Sequence, residues 1–308
     1  AKKAKKLSLR FLCDLLFRLP TPLPPPMPDS EYIIQATSSW FRVPWREIVQ
    51  YRDLLYLLVR RDFVAKYKQT ILGPLWFVLQ PLMTTIVFTV IFGKVARIPT
   101  DGLPPMLFYL CGMLAWGYFA QCLGGTSTTF LSHAYLFSKV YFPRLVVPLS
   151  VILSNLIAFA IQLVTFLCFW IWFKLFTAAG PSFHLTGLLL ALPALLLQTA
   201  AIGLGFGLWM SALTAKYRDF AHLSSFLTQL WMFATPVVYP LSEVPEAWRW
   251  VIAANPMTGI VESYRYAFMG EGTVEPVFLA ISAGTTVVVL LSGIVVFSRV
   301  ERTFVDTV

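Results

Sequence analysis

The chain has 308 residues, of which 57% are hydrophobic and 13% are charged, and its mean hydropathy is +0.71. Soluble domains carry about 25% charged residues, so this composition excludes a soluble globular protein and indicates an integral membrane protein. The formal net charge of +9 does not indicate nucleic-acid binding, because the cations lie beside apolar runs rather than on a soluble basic face.

The first part of the chain differs in composition from the rest. Residues 1–44 contain AKKAKK and the proline-rich run LPTPLPPPMP, which cannot bury enough apolar surface to fold. We predict a partly disordered cytoplasmic extension at residues 1–44 and one membrane domain at residues 45–308. Between residues 45 and 63 the apolar spacing predicts an amphipathic helix in the membrane interface.

Four cations precede the first long apolar run, at Arg60, Arg61, Lys66 and Lys68. Basic residues beside a span hold that end in the cytoplasm. A basic entry of this kind is also expected where a protein handles an anionic lipid headgroup, whose phosphates pair best with arginine, or docks a cytosolic partner. A lipid-diphosphate headgroup site and a purely topogenic signal both remain open.

Six apolar runs meet the requirement of about 20 residues for a transmembrane helix. They lie at residues 75–95, 106–131, 145–173, 185–213, 223–239 and 277–297. An even number of spans places both termini on one side, and the cations of the intervening loops assign that side to the cytoplasm. In the fourth run, Gly203 and Gly207 have the GxxxG spacing that permits close helix packing.

Two short helical segments, at residues 243–254 and 257–269, separate the last two apolar runs. Asn255 and Pro256 lie between them, and the residue before a proline is disfavoured in a helix. The segments are either re-entrant helices lining a water-filled exit or helices resting on the outer surface. The first alternative predicts an outer gate that consists of Asn255, Pro256, Glu262 and Arg265.

Three motifs carry a family resemblance. They are RDFVAKYKQTILGPLWFVLQPL at residues 61–82, FSKVYFPRLVVPLS at residues 137–150 and NPMTGIVESYRYAFMG at residues 255–270. In this order they resemble the permease subunits of ABC-2 type exporters, in particular the branch that exports O-antigen, capsule and teichoic-acid polysaccharides. The likeness covers roughly residues 45–304.

The resemblance implies an all-α membrane protein with six transmembrane helices. An N-terminal amphipathic interfacial helix and two short re-entrant helices between the fifth and sixth spans complete the implied fold. It also implies that two copies of the chain pair with two ABC ATPase subunits. It places an ATPase-coupling element between the second and third spans, where His133, Lys139 and Arg144 are the candidate residues. An ordinary loop held inside by its cations is the alternative.

Several classes of chemistry have no matching residues. No Asp or Glu occurs between Asp101 and Asp219, which argues against an ion-coupled carrier and a membrane hydrolase. The three histidines are too widely separated to predict a metal site. No GxxxxGK[ST] phosphate loop is present. We therefore expect no catalytic residues, metal or cofactor in this chain, with ATP and Mg bound by the partner subunit.

Aromatic residues are frequent within the apolar runs. Their rings are suited to stacking on the C–H faces of sugars, while packing against neighbouring helices is the alternative. The predicted channel-lining residues are Phe77, Phe88, Phe92, Trp116, Tyr118, Phe119, Trp231 and Phe233.

Together these features predict a subunit that exports a polyprenyl-diphosphate-linked polysaccharide across the bacterial inner membrane. The expected partners are a second copy, two ATPase subunits, the lipid-linked polymer and membrane lipid, with no nucleic acid. An exporter of teichoic acid or a small amphiphile is the alternative within the class. A passive channel or a membrane-embedded transferase is the alternative outside it.

Overall fold

The computed structural model describes residues 45–68, 70–139, 142–177 and 183–304. The extension predicted at residues 1–44 lies outside the described residues. Every regular element in the described ranges is helical, as the sequence predicts. The twelve α-helices in these described ranges are α1 Trp45–Gln50, α2 Arg52–Tyr67, α3 Trp76–Phe88, α4 Pro105–Ser127, α5 Thr129–Ser132, α6 Ala134–Lys139, α7 Val146–Phe176, α8 Leu192–Lys216, α9 Phe220–Phe233, α10 Glu246–Ala253, α11 Pro256–Met269 and α12 Pro276–Phe304.

Several of these helices are extended by tighter or wider turns. A 3-10 turn at Gly73–Leu75 precedes α3, and a π-helix at Thr89–Val95 continues it. Another 3-10 segment, Gly187–Ala191, leads into α8. Gly73 starts its turn with φ +49°, a left-handed conformation that glycine adopts without strain.

Five helical stretches among the described residues are long and apolar enough to cross a bilayer. They are Gly73–Val95, Pro105–Ser127, Val146–Phe176, Gly187–Lys216 and Pro276–Glu301. The run predicted at residues 223–239 is different, because α9 has 14 residues and is about 21 Å long, against about 30 Å of hydrocarbon. Its helix ends at Phe233 because Thr235 precedes Pro236, which disfavours helical geometry at Thr235.

Helix α4 forms the centre of the bundle. It packs most extensively against α8 and α7, while α8 also packs along α12. The α4–α8 contact follows the GxxxG spacing: a Cβ on Gly207 would lie 2.5 Å from Thr126 Cβ, and one on Gly203 would lie 2.9 Å from Cys122 Cβ. These glycines therefore set how closely the two helices approach.

The predicted interfacial helix packs at the end of the bundle where α7 begins. Leu58 of α2 is buried in a cluster with Phe130, Val146 and Phe297. This cluster joins α2 to the start of α7 and to the last turns of α12. It therefore holds the basic segment next to the loop that connects α4 with α7.

Helix α11 is short but almost completely enclosed by other helices. All of its residues except Tyr266 are buried, between α4, α8 and α12. Asn255 caps its first turn by accepting a hydrogen bond from Met257 N–H over 3.0 Å. Gly270 ends it in the left-handed conformation, with φ +76°.

Candidate functional site

The basic segment and the loop after α4 meet through one hydrogen-bonded group. Arg61 pairs with Asp62 over 2.8 Å and donates through Nη2 to Nε2 of His133 over 2.8 Å. Because a guanidinium only donates, Nε2 of His133 must be unprotonated in this contact. Burial, followed by the positive charge of Arg61, lowers the pKa of His133 below its usual value. The contact therefore joins α2 to the α5–α6 segment through a neutral imidazole.

The four cations predicted to bind a lipid headgroup have different surroundings in the structure. Arg61 is engaged with Asp62 and His133, whereas Arg60 and Lys68 are exposed. The side chain of Lys66 lies outside the described residues. Among the predicted headgroup cations whose side chains the structure describes, Arg60 and Lys68 are thus exposed without the pairing that Arg61 makes.

Arg144 has a different environment from the one expected of a docking residue. Its side chain is 8% exposed, and Nη1 donates to the Glu301 carbonyl over 2.9 Å. Its guanidinium also lies over the Phe137 ring, 5.2 Å from the centroid. The Arg144 guanidinium is therefore held within the fold, and its predicted role in ATPase coupling stays a prediction. The residue instead ties the loop before α7 to the end of α12.

Lys139 is the exposed cation of the predicted coupling element. It ends α6, and its ammonium lies 5.9 Å from the centroid of the exposed Tyr135 ring. His133, at the start of the same loop, is half-buried against Arg61. Of the three predicted coupling residues, Lys139 is thus the one placed to meet a partner.

A cleft of about 500 Å³ lies where α3 and α4 face each other, with contributions from α7 and α9. Trp76, Gln80 and Thr84 recur at four-residue spacing along the α3 wall, so they share one face of that helix. Two of the predicted channel aromatics, Phe77 and Trp116, also line this cleft. The volume is within the range of small-molecule sites, about 300–1,000 Å³.

A second cavity of about 430 Å³ lies between α4, α8 and α9, and its lining is almost entirely apolar. Trp231, another predicted channel residue, lines it together with Phe206. The Trp231 ring also packs 4.6 Å from Phe206 and 5.1 Å from Phe119, measured between centroids. Trp231 therefore contributes both to this cavity and to the packing of the bundle.

The other predicted channel aromatics line neither cavity. Tyr118 and Phe119 are 2% and 0% exposed inside the bundle, so packing explains them. Phe88 and Phe92 pack edge to face at 5.3 Å against the same core. Phe233 is 47% exposed at the end of α9.

Three glutamines in the cleft were not predicted from the sequence. Gln80, Gln121 and Gln162 project into it from α3, α4 and α7. Their amides make no hydrogen bond to any other residue that the structure describes, although Gln162 is only 9% exposed. An uncharged amide inside an apolar span is the signal that could have identified them, since such groups need a partner there.

At the predicted outer gate, Asn255 and Pro256 are anchored to neighbouring elements. Asn255 Nδ2 donates to Thr235 Oγ1 over 2.8 Å, and the Pro256 carbonyl accepts from Ser282 Oγ over 2.5 Å. These bonds fix the break between α10 and α11 against the segment after α9 and against α12.

The two charged residues of the predicted gate form a buried ion pair. Arg265 Nη1 donates to Glu262 Oε1 over 2.8 Å, and both side chains are at most 2% exposed. Arg265 Nη2 donates to the Val237 carbonyl over 2.8 Å, and the guanidinium stacks over Phe108 at 3.7 Å. Burial raises the pKa of the Glu262 carboxyl, and the Arg265 charge opposes that rise. The pair thus locks α11 to α4 and to the segment after α9.

The sequence matches the family described as ABC-2 type transporter over residues 53–269. The chain is 32% identical over 267 residues to the O-antigen export system permease protein RfbA of Myxococcus xanthus, covering 85% of this chain and 98% of that protein. It is 25% identical over 254 residues to the RfbA permease of Klebsiella pneumoniae, covering 82% and 94% of the two chains.

A more distant relative has a different polymer in its name. The chain is 24% identical over 253 residues to the polysialic acid transport protein KpsM of Escherichia coli, covering 80% of this chain and 92% of KpsM. The family match spans most of the chain and includes the cleft, the basic segment and the buried ion pair. The chain therefore belongs to the ABC-2 type transporter family of membrane permeases.

Proposed function

We propose that this chain is the transmembrane subunit of an ABC exporter that moves a polyprenyl-diphosphate-linked polysaccharide across the bacterial inner membrane. The observation that carries the proposal is full-length similarity to permeases named for O-antigen export, which extends over 94–98% of those relatives. The cleft between α3 and α4 supports it, because aromatic rings and amides are the groups that suit sugar rings.

The proposal assigns ATP hydrolysis to a separate subunit. The sequence contains no GxxxxGK[ST] phosphate loop, and the family to which the chain belongs is an ABC transporter family. Two copies of the chain and two ATPase subunits that hold ATP and Mg make up the proposed assembly.

We propose six crossings, with the fifth formed by α9 and the irregular residues 234–240 that follow it. The apolar side chains of α9 support this arrangement, because Phe226, Leu230 and Phe233 are exposed where lipid or a second copy would cover them. An even number of crossings places both ends of the membrane domain in the cytoplasm, next to the basic segment.

The proposal treats α10 and α11 as re-entrant helices. The Tyr264 ring of α11 packs against Phe159, near the middle of α7, with 6.4 Å between the ring centroids. The Phe268 ring packs against Phe166, further along α7, with 5.0 Å between the ring centroids. Pro256 contacts Ser282, in the second turn of α12. These contacts lie alongside the spanning helices, and such broken backbone is tolerated at membrane depth where protein surrounds it.

We assign ATPase coupling to the α5–α6 segment, with Lys139 as its exposed contact residue. The hydrogen bond between Arg61 and His133 would transmit movement of this segment to α2.

Arg60 and Lys68 are the candidates for the lipid diphosphate. If bidentate pairing matters, Arg60→Lys should reduce export while preserving topology, because lysine keeps the charge but loses the planar fork. Normal export by this variant would leave only the topogenic role.

Reconstitution tests the proposed function. The chain and its partner ATPase are placed in proteoliposomes carrying a polyprenyl-diphosphate-linked polysaccharide, and transport is scored as protection of the polymer from added glycosidase. We expect protection only with ATP and an active ATPase subunit. Protection without ATP would support a passive channel instead, and covalent modification of the polymer by the chain alone would support a transferase.

A further inference from the structure

The cleft between α3 and α4 contains side-chain amides that form no hydrogen bond with any residue that the structure describes. Gln162 is 9% exposed, and neither its amide nor those of Gln80 and Gln121 bonds to a described residue. A buried amide without a partner is unfavourable. The cleft therefore suits a ligand that has many hydrogen-bond donors and acceptors. Such a ligand would replace any water that bonds to these amides.

The three glutamines line the same cleft from three different helices. Gly117 of α4 faces Gln162 of α7, and a Cβ on Gly117 would lie 3.6 Å from Gln162 Oε1. Gln121 lies one helical turn after Gly117, so both residues face the same side of α4. Gln162 therefore lines the cleft beside Gly117 on the wall that α4 provides.

The uncharged lining of the cleft limits the charge that a ligand can carry. No ionisable side chain is among the described residues that line the cleft. A carboxylate or phosphate entering it would lose water without gaining a cation, which is strongly unfavourable. A hydrocarbon chain would leave the three amides without partners, which is also unfavourable.

We infer that this cleft is a binding site for an uncharged segment of glycan, whose hydroxyl groups pair with the amides of Gln80, Gln121 and Gln162 and whose ring faces stack on Trp76, which is 47% exposed. The inference rests on the proposed function and narrows its substrate to neutral polysaccharides. An anionic polymer such as polysialic acid, which appears in the name of one relative, would not be bound in this cleft.

The experiment measures oligosaccharide binding directly. The full-length chain with its ATPase subunits is placed in lipid nanodiscs, and binding is followed by saturation-transfer NMR. Maltoheptaose is the neutral probe, and an α2,8-linked oligosialic acid of equal length is the anionic probe. We expect saturable binding of maltoheptaose and at least tenfold weaker binding of oligosialic acid, because the lining supplies no cation.

Two variants locate the binding site. Gln121→Leu and Gln162→Leu should each weaken maltoheptaose binding about fivefold, the loss of one hydrogen bond worth ~1 kcal/mol. Gln198→Leu is the matched control, because Gln198 bonds to Ser282 outside the cleft. It should bind maltoheptaose like the unmodified chain.

The inference is overturned by absent maltoheptaose binding, by equal binding of the two probes, or by unchanged binding in both cleft variants. Its failure is distinguishable from failure of the proposed function. ATP-driven export with no maltoheptaose binding would reject only the cleft assignment. Binding without any ATP-driven export would instead reject the proposed function and leave the cleft assignment in place.

Discussion

The ion pair between Glu262 and Arg265 gives a stability prediction whose size follows from its burial. Arg265→Met removes the charge but keeps much of the side-chain length, and it eliminates the bonds to Glu262 and to the Val237 carbonyl. The Glu262 carboxylate is then left almost fully buried, with the Thr273 N–H as its described donor. Removing one partner of a buried ion pair costs about 3–5 kcal/mol. We expect a loss of ~4 kcal/mol in the free energy of unfolding.

Titration with SDS in mixed micelles, followed by tryptophan fluorescence, measures this free energy for the purified full-length chain. The double variant Glu262→Gln/Arg265→Met should recover more than half of the loss, because neutral replacements remove the uncompensated charge. Arg52→Met is the control, since Arg52 and its partner Asp53 are 80% and 93% exposed and should contribute little. If Arg265→Met were no more destabilising than Arg52→Met, the locking role of the pair would be refuted.

Three further predictions follow from individual contacts. Gly207→Ala should destabilise the chain by about 1–3 kcal/mol through overpacking against α4. Gly284→Ala is the control and should not destabilise it, because a Cβ at Gly284 would meet no atom within 4 Å. Equal SDS midpoints for the two variants would contradict the close approach of α4 and α8. The pKa of His133 is lowered in the folded state, so its contribution to stability should be present above the ordinary imidazole value of about 6.5 and be lost as the pH falls below it. The same pH dependence in His133→Gln would exclude this origin. Lys139→Glu should reduce co-purification of the ATPase without changing stability, whereas Arg144→Glu should lower stability itself. The opposite pattern would identify Arg144 as the docking residue.

Much of the fold was predictable because long apolar runs have few alternatives to a membrane helix. Five of the six predicted runs are helices long enough to span, and the GxxxG pair of α8 lies at its contact with α4. Hydropathy did not reveal that α9 stops at Phe233, because residues 234–239 remain apolar beyond the helix end. The local signal was Pro236, which disfavours helix at the preceding residue.

The candidate site was less predictable, for a physical reason. Helix α4 is apolar around its whole circumference and mostly buried, so its hydropathy pattern does not show which face lines a cavity. Trp116 and Phe119 look equivalent in sequence and both are almost fully buried, yet Trp116 borders the cleft and Phe119 borders neither cavity. The burial of Arg144 depends on the Glu301 carbonyl, 157 positions later in the chain, a contact that local pattern cannot reveal.

Cross-linking of the polymer during stalled transport tests the account most directly. A photoreactive amino acid replaces Gln121 in the chain, which is reconstituted with a hydrolysis-deficient ATPase and a polyprenyl-linked neutral polysaccharide. We predict that light attaches glycan to this position when ATP is present, and not to the same photoreactive group at Gln198. Equal glycan labelling at both positions, or labelling at neither, would contradict binding of the polymer in this cleft.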